Sequence, residues 1–136
     1  MSAGYSGKPL FEKLGIREGH KVAALNAPAD YKSLVGRMPA GVTVSHELAG
    51  KFDLVHLFVV DEMNLQKQLK MSIGRIKPSG MIWVSWPKGK SRLRSRFGEN
   101  AVRNIGLKNG LVDVKICAVD GTWSGLKFVR RLKDRR

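Results

Sequence analysis

Fourteen residues, Arg75 to Lys88 (RIKPSGMIWVSWPK), limit the folds open to this chain more than any other stretch. Pro78 cannot continue a helix, because it has no N–H and its ring clashes with the preceding turn. Pro78-Ser79-Gly80 therefore reads as a turn that ends one helix, with Gly80 supplying permissive backbone. Met81-Ile82-Trp83-Val84 then runs apolar on both faces, the pattern of a parallel strand covered by helices on each side. The strand stops at Trp86-Pro87-Lys88. In an open α/β sheet, ligands bind at such a carboxyl edge.

The rest of the chain repeats this alternation. Pro9 opens a short helix that ends at Gly15. Lys21–Leu25 is the first strand, followed by the turn Asn26–Asp30 and a short helix over Tyr31–Val35. Val42–His46 alternates as a second strand and Phe52–Val60 is the third, the most apolar run of all. Asp61 is a helix N-cap, and Met63, Leu65, Leu69, Ile73 and Ile76 form a helical stripe behind it. After the opening stretch comes a basic loop (88–98). A helix over Glu99–Asn109 follows, with Val102, Ile105 and Leu107 as its apolar positions. Two strands, Leu111–Val119 and Trp123–Val129, are joined at Asp120-Gly121, a hairpin signal.

Parallel crossovers are right-handed, so the expected fold class is α/β, a three-layer Rossmann-like sandwich. Its six-stranded sheet is mostly parallel and closes with a C-terminal antiparallel hairpin. At 136 residues one domain (1–136) is expected, with a flexible N-terminus (1–7) and a basic tail (131–136). No apolar run approaches the ~20 residues of a membrane helix, and no apolar signal core opens the chain, so a cytoplasmic protein with no membrane partner is expected. One cysteine, Cys117, excludes an internal disulfide and a thiolate zinc cluster.

Charge divides the chain. Residues 1–62 carry seven Lys/Arg and seven Asp/Glu, whereas residues 63–136 carry eighteen and four, the whole of the +14 net charge. Such asymmetry points to an anionic partner, nucleic acid or another polyanion. Lys88, Lys90, Arg92, Arg94 and Arg96 recur at every second position, so in extended backbone all five face one way. Arg130 and Arg131 open the basic tail.

Candidate ligand-binding residues fall at strand ends: Asn26 and Asp30 after the first strand, Glu47 after the second, Asp61 after the third, Trp86 and Lys88 after the fourth. Glu47, 21 residues past Asn26, stands near where dinucleotide folds place an acid on a ribose hydroxyl. Trp86 offers a flat apolar surface and Lys88 a point charge. His56, on a face with Leu54 and Phe58, reads as a hydrogen-bonded core residue. Neither a metal set nor a catalytic nucleophile is assigned, and no cofactor.

The order of elements, with Ile76-Lys77-Pro78-Ser79-Gly80-Met81 before the fourth strand and the hairpin Leu111–Val129, resembles the S-adenosylmethionine-dependent methyltransferase fold. One strand–helix unit between the second and third strands is missing from that pattern. More closely, SAGYSGKPLFEKLGI, LNAPADY, FDLVHLF, KPSGMIWVSWPK and GLVDVKICAVDGTWSGLKFV resemble a bacterial family of small Rossmann-like domains of unknown function. The methyltransferase pattern implies an acid and a Gly-x-Gly run after the first strand, where glycines let the backbone approach the cofactor. Leu25-Asn26-Ala27-Pro28-Ala29-Asp30 has no glycine there. Three functions are therefore open: a non-catalytic module binding a small anionic ligand or a protein at the carboxyl edge, a basic accessory domain binding nucleic acid non-specifically, and a degenerate methyltransferase.

Overall fold

A computed structural model describes residues 8–89 and 97–135. In chain order the elements are α1 (Leu10–Leu14), β1 (Lys21–Leu25), α2 (Tyr31–Val35), β2 (Thr43–Ser45), β3 (Phe52–Phe58) and α3 (Glu62–Ile73). They continue with β4 (Ile76–Pro87), α4 (Glu99–Lys108), β5 (Leu111–Ala118) and β6 (Trp123–Arg130), and a single 3-10 turn at Leu132–Asp134. The six strands form one sheet in the order β2-β1-β3-β4-β6-β5. β2, β1, β3 and β4 are parallel neighbours, and β6 lies antiparallel between β4 and β5. This is the expected mostly parallel sheet with a terminal hairpin.

Strand alternation sends successive side chains to opposite faces, and each face has its own core. Ala23, Val55, Leu57, Ile82, Val84, Leu126 and Phe128 pack under α3 and α4, against Leu65, Leu69, Val102 and Ile105. Val22, Ala24, Leu54, Phe58 and Trp83 pack under α1 and α2, against Leu10, Leu14, Tyr31 and Val35. Trp83 also donates its indole N–H to the Leu14 carbonyl at 2.8 Å, which satisfies an orphan acceptor at the end of α1.

The Pro78–Gly80 segment is a bulge within β4 rather than a turn before it. Phe52 pairs with Ile76 and Leu54 with Met81, so Asp53 alone stands opposite four residues. Lys77, Pro78 and Ser79 loop outward and are exposed, while Gly80 is buried. A Cβ on Gly80 would stand 3.0 Å from the Ile76 Cβ and the Lys77 carbonyl, so glycine is needed here for space rather than for a positive φ. Asp53 secures the bulge, accepting the Lys21 N–H at 2.8 Å and pairing with Lys77 at 3.0 Å.

Two expected core positions are corrected. Met63 is 83% exposed and Leu107 39% exposed. Each stands two residues from a buried neighbour, Leu65 and Ile105, and residues two apart on a helix do not share a face. Gly106 takes the inward position in α4, packed on the Phe128 ring. Among the described residues no helix is long and apolar enough to cross a membrane.

Candidate functional site

β1 leads outward to β2, and the chain then crosses back to β3 on the other side of β1. The carboxyl ends of β1 and β3 therefore flank the switch point at which α/β sheets take ligands. After Leu25, Asn26 adopts φ 57°, the left-handed conformation that glycine takes freely and asparagine tolerates. The turn is thus made without a glycine. The Pro28 carbonyl accepts the Tyr31 N–H at 3.0 Å, and α2 begins. Asp30, at the N-cap position, makes no side-chain capping bond, and its carboxylate is exposed.

Five residues are too few for a self-supporting helix, so α2 is held by what it buries, Tyr31 and Val35. The Tyr31 hydroxyl lies 2.9 Å from His56 Nδ1, and His56 Nε2 lies 2.7 Å from Ser85 Oγ. This polar chain links α2, β3 and β4. Phe58 stacks on His56 at 4.3 Å between centroids and meets Trp123 edge-on at 5.1 Å. Burial pushes the His56 pKa down to about 3 and raises that of Tyr31. Both groups are therefore neutral across the physiological range, and His56 is the hydrogen-bonded core residue expected of it.

Between the β1–α2 turn and the end of β2 lies a pocket of about 360 Å³, lined by Ala27 to Ser33 and by His46. His46 Nδ1 is 3.0 Å from the Ala24 carbonyl. A carbonyl only accepts, so Nδ1 carries the hydrogen of that bond, and in the neutral ring Nε2 is left as an acceptor. Lys32 can meet an anion here, while the His46 Nε2 and the Asp30 carboxylate can accept from hydroxyl groups. His46, Lys32 and Ser33 were not among the sequence candidates. The register of β1 against β2, which carries His46 past Ala24, is what brings them in.

Of the sequence candidates, Asn26, Asp30 and Glu47 gather at this end of the sheet. The Glu47 backbone is pinned by Ser45 Oγ, which accepts its N–H at 3.1 Å and donates to its carbonyl at 2.9 Å. Asp61 caps α3, accepting the Asn64 N–H at 2.8 Å. Trp86 is 5% exposed and belongs to the core under α3 and α4, because it shares a face with Ile82 and Val84. Its ring is therefore not presented at the edge. Lys88 is half-buried, and its N–H donates to the Thr122 carbonyl at 2.8 Å.

The Arg130 guanidinium donates to the carbonyls of Ile73 and Ile76, closing the end of α3. Arg131 is exposed. Lys90, Arg92, Arg94 and Arg96 lie outside the described residues. Among the described residues no group of His, Cys, Asp and Glu could hold a metal ion.

No protein-family profile matches the sequence, and no curated protein does. Solved structures do. A ribosomal protein L11 methylase from Lactobacillus delbrueckii subsp. bulgaricus is similar at TM-score 0.60 and 12% identity, over 89% of this chain and 74% of that one. A fibrillarin pre-rRNA processing protein from Methanococcus jannaschii gives 0.61 and 10%, over 85% and 67%. A SAM-dependent methyltransferase from Aquifex aeolicus gives 0.58 and 14%, over 87% and 86%. The fold is Rossmann-like, of the S-adenosylmethionine-dependent methyltransferase type. At these identities the likeness is one of fold.

Proposed function

We propose that this chain is a non-catalytic Rossmann-like module that binds a small anionic ligand at the carboxyl edge of its sheet. The observation that carries the reading is the 360 Å³ pocket at the β1–β2 end, whose lining includes Lys32, His46 and the exposed Asp30. The Lys32 ammonium suits a phosphate or carboxylate, and Asp30 and the His46 Nε2 suit the hydroxyls of an attached sugar. The buried pair Tyr31 and His56 is spent on holding α2 in place.

A thermal-shift and calorimetry screen of AMP, ATP and inorganic phosphate tests this reading. At least one is expected to raise the melting temperature of the wild type and not that of Lys32→Ala or His46→Ala. A set of flat melting curves for the wild type defeats it.

The likeness in fold favours a second reading, a degenerate methyltransferase that takes S-adenosylmethionine at the same edge. Against it stand the Cβ atoms and the ring of Pro28 in the β1–α2 turn, which narrow the approach to the backbone and remove one N–H.

A further inference from the structure

On the α1-facing side of the hairpin, two lysines occupy one cross-strand pair. Lys115 of β5 stands directly opposite Lys127 of β6. Like charges placed directly opposite in a sheet are destabilising, and among the described residues no ion pair involves either lysine. The ion pairs among the described residues join Lys77 to Asp53 and Arg103 to Glu99 and Asp113. Arg17, Lys115 and Lys127 enter none of them.

Arg17, in the segment after α1, brings a further cation to this side of the hairpin. A Cβ on Gly15 would stand 4.0 Å from Lys127 Nζ, so the end of α1 lies over this lysine. Arg17, two residues further along the chain from Gly15, is exposed. Burial, then Lys115 and Arg17, push the Lys127 pKa down, so the field at its ammonium is positive.

A local rule is broken here with no compensating ion pair among the described residues, which is how functional sites differ from the rest of a structure. We propose that Arg17, Lys115 and Lys127 form a contact surface for the phosphate backbone of a nucleic acid. A protein interface would need an apolar centre, whereas this surface presents point charges on a sheet face. The chain's +14 charge supplies the long-range attraction that nucleic-acid binding uses. The surface lies apart from the β1–β2 pocket and does not depend on it.

The test combines footprinting with salt titration on the whole chain. Acetylation of Lys115 and Lys127, read by mass spectrometry, is expected to slow several-fold when random-sequence duplex DNA is added. The log-affinity against log-salt slope is expected to flatten by about 0.9 for each cation removed, hence by about 2 in Lys115→Thr/Lys127→Met. The melting temperature of that variant should hold or rise, since a repulsion is removed. The exposed Arg17→Ser supplies an independent one-cation step. The triple change Arg92→Ser, Arg94→Ser and Arg96→Ser serves as comparator.

Four outcomes overturn the proposal. In the first, the wild type shows no salt-dependent binding. In the second, the slope is unchanged in Lys115→Thr/Lys127→Met and Arg17→Ser while the comparator flattens it. In the third, both lysines are acetylated equally fast with and without DNA. In the fourth, polyglutamate protects them and DNA does not, which assigns the surface to an acidic protein.

Discussion

The Tyr31 hydroxyl sits 2.9 Å from His56 Nδ1, and through this bond α2, whose first three residues line the candidate pocket, is tied to the centre of the sheet. Tyr31 is the first residue of α2 and His56 is in the middle of β3. The ligand edge thus takes its shape from a polar group beneath it. Beyond this bond the five-residue helix is held by burial of the Tyr31 ring and Val35, with Leu34 packed against the same core.

Tyr31→Phe deletes the hydroxyl and leaves a fully buried imidazole nitrogen without its partner. An orphaned buried polar group costs about 1–3 kcal/mol. Urea titration should show a loss of stability in that range with an unchanged m-value, and binding in the pocket should weaken in parallel. Equal stability of the two proteins would mean that the bond contributes nothing.

His56 makes stability depend on pH. Its folded pKa of about 3 lies below the ordinary value of 6.5, because burial disfavours the charged ring. Below pH 6.5 the unfolded chain takes up a proton that the folded chain refuses. Stability should therefore fall as pH drops from about 6.5 towards 3, by up to roughly 1.4 kcal/mol per pH unit. Asp53 adds a loss lower down. Burial alone would raise its pKa, but the Lys21 N–H and Lys77 outweigh that and hold it below its ordinary value. Its contribution is present above the usual carboxylate pKa and disappears as pH falls through the lowered one. Denaturation midpoints of wild type and His56→Asn between pH 4 and 7 check the first effect, and matching slopes would exclude His56 as its source.

Gly106→Ala should destabilise although alanine is the better helix former. A Cβ there would stand 2.1 Å from Cε1 of the fully buried Phe128 ring. Overpacking of this kind costs about 1–3 kcal/mol, against a helix gain of about 1. Thermal unfolding should show a net loss, which Phe128→Leu in the same chain should partly relieve. A rise in melting temperature for the single variant would show that the ring moves aside at no cost.

S-adenosylmethionine should bind more weakly than micromolar. Asn26 reaches the left-handed conformation of a glycine, yet Ala27, Pro28 and Ala29 keep their side chains against the approach. Calorimetry giving a micromolar or tighter dissociation constant would promote the methyltransferase reading over the ligand module.

Local chemistry was enough to place the elements. The αL residue Gly15 ends α1, Asp61 caps α3, and apolar runs bounded by turn residues mark β1, β3 and β6 within a residue or two. These features depend on neighbours in sequence, so the sequence by itself determined them, and with them the six-stranded α/β sheet. Which side chains are covered was decided elsewhere. Trp86 alternates like any strand residue, but only the packing of α3 and α4 over its face buries it. Lys77 to Ser79 became an outward bulge because Asp53 of another strand anchors it. Lys115 met Lys127, His46 met the β1–α2 turn, and Tyr31 met His56 through strand register and layer packing. Those are relations between residues 12 to 25 apart in sequence, and no spacing within one segment encodes them. The elements follow from local sequence, and the candidate sites follow from tertiary contact.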